Sequence, residues 1–293
     1  HGGFSPRMIV DQHTTAGKPA WWPKDNRSPA GPLGCDSRNS EAMKRQALSV
    51  IIALVTLGAA HAASADSANR AIELASGDRQ VTLVELYTSE GCSSCPPADR
   101  WMSGLLEDPR LWREVVPVKF HVDYWDWIGW QDRFANQAWS ERQRQHVREG
   151  NADVVYTPGF FANGREWRGF FSRESLDTPR PEVGDLSIQI SERDVTAQFA
   201  PSGNVSSGRL MLHVAVLGMD LQSSVSAGEN RGKVLPHDFV VLGLSRRAMA
   251  REEKKLHAEL RLPPASKDAA AVAAWVTEDD SLVPLQAVGG FLR

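Results

Sequence analysis

Cysteine is scarce in this chain of 293 residues, which contains three. Small secreted domains that depend on disulfides for their stability carry many more, so this count excludes a disulfide-dense scaffold. A bias towards charge of one sign is also missing, because 33 basic residues stand against 36 acidic ones for a net charge of −3. This balance gives no reason to expect nucleic acid or an anionic membrane surface as a partner.

Long hydrophobic runs are absent too. The apolar run Ala47 to Leu57 is too short for a membrane-spanning helix, which needs about 20 apolar residues. It follows a basic stretch that begins at Met43 and precedes small residues. This order predicts a secretory signal peptide over residues 43–65, with cleavage near Ala62 or Ala65. We therefore expect an exported protein, periplasmic or secreted, whose mature chain has no membrane span.

Composition and periodicity predict further divisions. Residues 1–42 show no apolar period and are expected to be non-native upstream sequence or disordered, and residues 66–79 a linker. Residues 80–180 alternate strand and helix patterns, which favours a central mixed sheet flanked by helices, an α/β core. Residues 181–293 alternate apolar and polar side chains, as half-buried antiparallel strands do. We expect a β-rich C-terminal lobe there, with one charged, helix-like stretch over Arg246–Leu256.

The sulfur pair Cys92-Ser93-Ser94-Cys95 lies where an apolar strand, Val81–Tyr87, runs into a predicted helix that starts near Pro97. Unpaired N–H groups and the dipole at a helix N-terminus favour the thiolate, the form that attacks disulfides. We therefore expect Cys92 to be the nucleophile of a thiol–disulfide oxidoreductase. Cys95, one turn along the helix, would be the resolving thiol. Such an enzyme needs no cofactor besides its own redox-active disulfide.

Two alternatives remain for this pair. A permanent disulfide between Cys92 and Cys95 would pin the start of the helix, although so small a loop removes little entropy from the unfolded chain. A copper or zinc site would join the two thiolates to the imidazole of His121. His121 ends an apolar run, where a packed histidine is the commoner occurrence. The second function to consider is therefore a non-catalytic metal-binding or interaction protein.

A stretch rich in tryptophan and aspartate follows the second apolar run, Val115–Val122. Its side chains would form an aromatic and acidic wall beside the cysteines that receives a peptide or sugar substrate, or else pack between the two lobes. The members are Trp125, Trp127, Trp130, Asp123, Asp126 and Asp132.

The order of strand, cysteine helix, strand, helix and Thr157-Pro158, followed by a hairpin at Asn163-Gly164, resembles the thioredoxin fold. This resemblance implies a cis-proline at Pro158 that shapes the substrate groove beside Thr157. It also implies that Glu85 lies beneath the cysteines, where burial raises its pKa and lets it take the proton of the resolving thiol. The alternative is that Glu85 faces solvent or forms a salt bridge between the lobes.

Longer segments resemble an exported thioredoxin-like family, domain of unknown function 1223. They are Val84 to Asp99, His121 to Trp130, Tyr156 to Pro158 and Gly228 to Gly232. The resemblance implies a thioredoxin-like core with an added β-rich part and names no substrate. We expect the partners to be a disulfide- or thiol-containing protein or small molecule and a separate redox partner.

Overall fold

Strands dominate the chain in a computed structural model that describes residues 71–203, 208–264 and 267–292. They account for 45% of the described residues, against 15% for helices. The strands are β1 (Ile72–Ala75), β2 (Thr82–Thr88), β3 (Val115–His121), β4 (Gly159–Ala162), β5 (Arg165–Glu166), β6 (Gly184–Ser191), β7 (Asp194–Pro201), β8 (Leu210–Gly218), β9 (Leu221–Ser224), β10 (Val234–His237), β11 (Val240–Ala248), β12 (Ala250–Glu252), β13 (Lys255–Arg261), β14 (Ala269–Glu278) and β15 (Pro284–Phe291). The α-helices are α1 (Cys95–Ser103), α2 (Gln137–Arg148) and α3 (Gly169–Ser172), with 3₁₀ turns at Gly104–Glu107 and Asp126–Ile128.

The largest sheet has eight strands in the order β15-β14-β8-β11-β3-β2-β4-β5. β3 pairs in parallel with both β2 and β11, and the remaining pairs are antiparallel. A second, antiparallel sheet has the order β1-β6-β7-β13-β12, and β9 pairs with β10. The eight-stranded sheet therefore combines strands from the segments 80–180 and 181–293.

The expected thioredoxin-like α/β core, a central mixed sheet flanked by helices, is wrong. The part that was expected to form a separate β-rich lobe instead extends the same sheet, since β11 joins it directly at β3. At β8, β14 and β15 this sheet is covered by the second sheet, through a core that includes Leu186, Phe199, Leu212 and Val276. Strand-on-strand packing replaces a helical layer over these strands, and only three α-helices occur in the described residues.

Alternation along β2 places its side chains on two different faces of the sheet. Val84 and Leu86 pack with Ala98 and Met102 of α1 in one core cluster. Leu83 and Tyr87 pack on the opposite face, in the cluster that contains Trp139 of α2. The α1 face therefore carries the thiols, and the α2 face carries the other half of β2, including Glu85.

Several local predictions are confirmed. The Asn163-Gly164 hairpin joins β4 to β5, with both residues at positive φ as such a turn requires. The alternating segments at Leu186 and Leu210 form β6 and β8. The helix expected over Arg246–Leu256 is wrong, because this segment ends β11, forms β12 and starts β13. Its charges occupy exposed positions of strands, while Met249 and Leu256 point into the core.

The predicted signal peptide over residues 43–65, the upstream segment 1–42 and residues 66–70 of the predicted linker 66–79 lie outside the described residues. The described part of that linker contains β1, which pairs with β6. Within the described ranges, no helix is both long and apolar enough to cross a membrane.

Candidate functional site

The two thiols lie at the junction of β2 and α1, as the sequence places them. Cys95 is the first residue of α1, and Cys92 lies in the preceding turn. Both cysteines are free thiols. Both are buried, with Cys92 1% exposed and Cys95 fully covered, whereas Ser93 and Ser94 between them are exposed. The turn therefore reaches the surface while its sulfur atoms lie just beneath it.

Hydrogen bonds favour the ionised form of Cys92. The bond from the Cys95 thiol is the strongest influence, and together with Ser94 and Thr157 it lowers the pKa of Cys92 to about 6, although burial opposes this. Sγ of Cys92 lies 3.2 Å from Oγ of Ser94, which can donate to the thiolate. The protonated Cys92 thiol also donates to the carbonyl oxygen of Thr157, 3.8 Å away. A thiolate at neutral pH is the form that attacks disulfides.

Cys95 is the opposite case. Burial raises its pKa well above the usual range, and the neighbouring Cys92 and the carboxylate of Asp99 raise it further. The hydroxyl of Thr88 acts in the other direction, but more weakly. The pKa values of the two thiols are therefore shifted in opposite directions, so that Cys92 is anionic and Cys95 is protonated at neutral pH.

Thr157 and Pro158 lie beside Cys92 and are joined by a cis peptide bond. Nε1 of Trp125 donates to Oγ1 of Thr157 at 2.7 Å, which brings this tryptophan to the thiols. Trp130 donates instead to Oε2 of Glu90 at 2.7 Å. Trp127 is 82% exposed and makes no such bond in the described part of the chain. The structure thus brings one tryptophan of the predicted wall to Cys92 and directs the others elsewhere.

The aspartates of the same stretch serve the loop. Asp123 accepts from Oγ of Ser140 on α2 at 2.5 Å, and Asp126 accepts from the backbone N–H of Asp132. Asp132 is buried and accepts from the backbone N–H of Glu90 at 2.9 Å. These bonds fasten the aspartate loop to α2 and to the cysteine turn.

Glu85 lies on the α2 face of β2, away from the thiols. It forms a bidentate ion pair with Arg142, at 2.9 and 3.0 Å, and accepts from the hydroxyl of Tyr87. Burial alone would raise the pKa of Glu85, but the charges and hydrogen bonds of Arg142 and His146 hold it well below its usual range. This geometry is that of a structural ion pair and does not offer Glu85 to Cys95 as a proton acceptor.

The buried carboxylate on the thiol side is Asp99, which sequence reasoning missed. Asp99 lies four residues after Cys95 on α1, so both share one face of the helix. Its Oδ1 lies 3.1 Å from Nζ of Lys119, which is fully buried, and its Oδ2 accepts from Thr88 at 3.2 Å. The i, i+4 spacing between Cys95 and Asp99 is the sequence signal that could have identified this carboxylate.

Two histidines lie next to this ion pair. His121 ends β3 and His237 ends β10, and their rings are 5.0 Å apart in an edge-to-face arrangement. One ligand atom from each of Asp99, His121 and His237 lies within 4.8 Å of the others. His121 is thus grouped with a second histidine and a carboxylate, and no cysteine belongs to this group.

A turn from the far end of the chain completes the site. Nδ2 of Asn230 donates to the backbone carbonyls of Glu90 and Cys92, at 2.8 and 2.9 Å. Glu229 beside it accepts from the backbone N–H of Ser93 at 2.9 Å. The cysteine turn is therefore held from residues more than 130 positions later in the chain.

A family described as "Protein of unknown function (DUF1223)" matches residues 83–277 of the chain, a range that contains every group described above. The chain belongs to the DUF1223 family. The match spans β2 to β14 and so includes both the cysteine turn and Asn230.

The fold of this DUF1223 chain is similar to that of protein AGR_C_4864 from Agrobacterium tumefaciens, with a TM-score of 0.52 and 24% identity over 72% of this chain and 94% of the other. HBP35 of Porphyromonas gingivalis aligns with a TM-score of 0.48 and 16% identity, over 72% of this chain and 75% of the other. No curated protein matches the chain.

Proposed function

We propose that this protein is an exported thiol–disulfide oxidoreductase that acts through Cys92 and Cys95 on protein or small-molecule disulfides. The observation that carries the proposal is that the pKa values of the two thiols are shifted in opposite directions. The pKa of Cys92 is lowered to about 6, and the pKa of Cys95 is raised. A permanently crosslinked pair would gain nothing from this asymmetry, whereas exchange needs one thiolate that attacks and one thiol held in reserve.

In the reducing direction, Sγ of Cys92 attacks one sulfur of the substrate disulfide. A bond forms between Cys92 and the substrate, the substrate's S–S bond breaks, and the released sulfur takes a proton from water. Cys95 then gives up its proton and attacks Sγ of Cys92, which expels the second substrate thiol. The substrate gains two electrons and two protons, and the Cys92–Cys95 pair becomes a disulfide. A dithiol of another protein then reduces the pair again.

We assign Asp99 as the group that accepts the proton of Cys95. Its carboxylate raises the pKa of Cys95 by charge, so the two groups are coupled electrostatically. Asp99 also lies on the same helix face one turn away, whereas Glu85 lies on the other side of β2. A buried carboxylate beside a buried thiol is the arrangement that general-base catalysis requires.

Substrate access requires a small opening, since Cys92 is 1% exposed. The exposed Ser93 borders a groove of about 460 Å³ between α1 and β10. Val234 of β10, at the edge of this groove, is 60% exposed, which offers an apolar contact to an extended polypeptide. The groove is lined in part by Ser93, Pro96, Pro97, Arg100, Val234 and Pro236.

The proposal includes export, because residues 43–65 have the order of a secretory signal: a basic stretch, an apolar run and then small residues. An exported compartment is oxidising, so a pair that works as a reductant there depends on an electron donor of the dithiol class.

The test is the reduction potential of the pair in a Cys35→Ser variant of the full chain. The protein is equilibrated in glutathione or dithiothreitol buffers, and free thiols are counted by alkylation and mass spectrometry. We expect a potential between about −120 and −270 mV, the range of exchanging oxidoreductases. Cys95→Ser should trap a mixed disulfide with a model substrate, while Cys92→Ser should not. A potential below about −300 mV would mark a structural disulfide and overturn the proposal.

A further inference from the structure

The imidazoles of His121 and His237 leave three ring nitrogens without a hydrogen bond in a fully enclosed place. Each histidine is 1% exposed. Nε2 of His121 and both ring nitrogens of His237 have no hydrogen-bond partner among the described residues. A buried polar atom without a partner costs on the order of 1–3 kcal/mol, so three in one cluster need a reason.

A carboxylate lies near each ring. Nδ1 of His121 lies 2.7 Å from Oδ2 of the buried Asp132, in a hydrogen bond. Nε2 of His237 lies 3.2 Å from Oε1 of the buried Glu90, although these two atoms form no hydrogen bond. The carboxylate of Asp132 places the proton of His121 on Nδ1 and leaves a lone pair on Nε2. Histidines that bind metals are held in this way by a carboxylate behind the ring.

A carboxylate also lies in front of the two rings. Asp99 contributes an oxygen that lies within 4.8 Å of a ring nitrogen of each histidine. Two imidazole nitrogens and one carboxylate oxygen form a borderline donor set that suits zinc, with a fourth position left for water. We propose that Asp99, His121 and His237 form a zinc site beneath the thiol pair that uses no sulfur ligand. This site shares Asp99 with the assignment made above for the proton of Cys95.

The spacing of the three ligand atoms is compatible with zinc. Zinc bonds of about 2.0–2.2 Å place tetrahedral ligands roughly 3.3 Å apart, a separation that falls inside the 4.8 Å limit within which these atoms lie. His237 belongs to the short two-stranded sheet of β9 and β10.

Lys119 opposes the ion. Its ammonium group lies 3.1 Å from Oδ1 of Asp99 and is fully buried, so in this structure it supplies the counter-charge that zinc would supply. A buried ammonium close to a divalent cation is strongly repelled. Removal of the lysine charge should therefore strengthen zinc binding, which an aromatic cluster of histidines with no metal function would not do.

The experiment measures Zn²⁺ binding by the full chain in which Cys35, Cys92 and Cys95 are replaced by serine, so that thiolates cannot contribute. Stoichiometry is taken by elemental analysis after dialysis, and affinity by calorimetry. We expect one zinc per chain. Cobalt in place of zinc should give visible bands of tetrahedral coordination without a thiolate charge-transfer band.

The variants are made in the same cysteine-free chain. His121→Gln and His237→Gln should each abolish the stoichiometric zinc, and Asp132→Asn should weaken zinc binding by about 10- to 100-fold, the usual effect of a lost carboxylate behind a ligating histidine. Lys119→Met should strengthen it by about tenfold or more. His257→Gln, at a half-exposed histidine of β13, is the matched control and should change nothing.

Three results would overturn the proposal. They are the absence of stoichiometric zinc in the cysteine-free chain, an unchanged affinity in both His121→Gln and His237→Gln, and a Lys119→Met variant that binds zinc no better than its parent. The Lys119→Met result stands even where a glutamine variant fails to fold. Because the sulfur atoms are absent, none of these outcomes depends on the redox function of Cys92 and Cys95.

Discussion

The side-chain hydroxyl of Ser94 makes no capping hydrogen bond at the start of α1. Ser94 is the N-cap residue of this helix. The two positions that an N-cap serine normally serves are Pro96 and Pro97, and proline has no N–H to offer. The hydroxyl group of Ser94 is therefore left for Sγ of Cys92, 3.2 Å away. Pro96 and Pro97 thus favour the thiolate of Cys92, because they offer no N–H that would bond to the Ser94 hydroxyl in its place.

We predict that Ser94→Ala raises the pKa of Cys92, because the variant removes a hydrogen bond that stabilises the thiolate. In the Cys35→Ser chain, the rate of Cys92 alkylation by iodoacetamide should rise with pH around a midpoint of about 6, and this midpoint should move upward in the variant. Peptide mapping separates Cys92 from Cys95. Ser93→Ala is the matched control, and an equal midpoint in both variants would contradict the role of Ser94.

The turn that carries Cys92 and Cys95 was predictable because a Cys-x-x-Cys after a strand is a local pattern. The approach of Thr157 to Cys92 is not local and was expected only from the resemblance to the thioredoxin fold. Asp99 was within reach of sequence reasoning through the i, i+4 spacing on α1. The position of His237 could not be predicted in this way, since His237 is far from Glu90 and His121 in sequence and lies next to them only in the folded chain. The side of β2 that Glu85 occupies also depends on which partner covers each face, and no local pattern specifies that partner.

Among the elements, the turn from Gly228 to Gly232 has the most direct effect on the site. Both of its terminal glycines adopt positive φ, at 70° and 83°, a conformation that glycine reaches without strain. Within it, Asn230 is fully buried and bonds to two carbonyls of the cysteine turn. Lys233 donates to Oδ1 of Asn230 at 2.8 Å, which fixes the orientation of the amide.

We predict that Asn230→Ala loosens the cysteine turn. The change removes the Asn230 donor from the carbonyls of Glu90 and Cys92, of which the second keeps its bond from the N–H of Cys95. The loss should cost about 1–3 kcal/mol of unfolding free energy. It should also speed the alkylation of Cys92 at a fixed pH above 7, because the sulfur becomes accessible more often. Urea unfolding and alkylation kinetics measure the two effects. Arg231→Ala, at the exposed neighbouring position, should do neither, and equal behaviour of the two variants would refute this account.

Strands were predicted well one at a time and poorly as a sheet. Period-two alternation identified β6 and β8, and an apolar run from Ala269 to Val276 identified β14. Only β6 is half-buried as alternation predicts, because β8 and most of β14 are buried on both faces. The pairing of β11 with β3 left no such pattern, because it joins segments that are far apart in sequence. The charged side chains of Arg246–Leu256 resembled a solvated helix because exposed strand positions carry the same residues.

For the whole molecule, buried histidines make stability depend on pH. His213 is stacked on Trp275 with a ring separation of 5.3 Å and is almost fully buried. Burial is the main cause that lowers the pKa of His213 to about 3, below the usual value of about 6.5 that it regains on unfolding. The unfolded chain therefore binds one more proton than the folded chain between these two values. Stability should fall as the pH decreases from about 6.5 towards 3.

We predict that the unfolding free energy of the chain falls between pH 7 and pH 5, and that His213→Gln reduces the slope. The part due to this histidine is at most about 1.4 kcal/mol per pH unit. His237, whose pKa is lowered mainly by burial, adds a slope of the same sign that remains in the variant. Urea titrations at several pH values measure it. His257→Gln should leave the slope unchanged, and a slope that His213→Gln does not alter would contradict the prediction.

The distance along the chain between the thiols and the turn that covers them has a consequence for biosynthesis. Asn230 follows Cys92 by 138 positions, and β11, the neighbour of β3 in the large sheet, starts later still. A chain made from its N-terminus therefore releases Cys92 and Cys95 long before either element exists. During that interval both sulfur atoms are open to oxidants and to other nascent chains. The cysteine turn is held in place only after the chain has been made as far as Asn230, and the sheet beside β3 is completed only with β11.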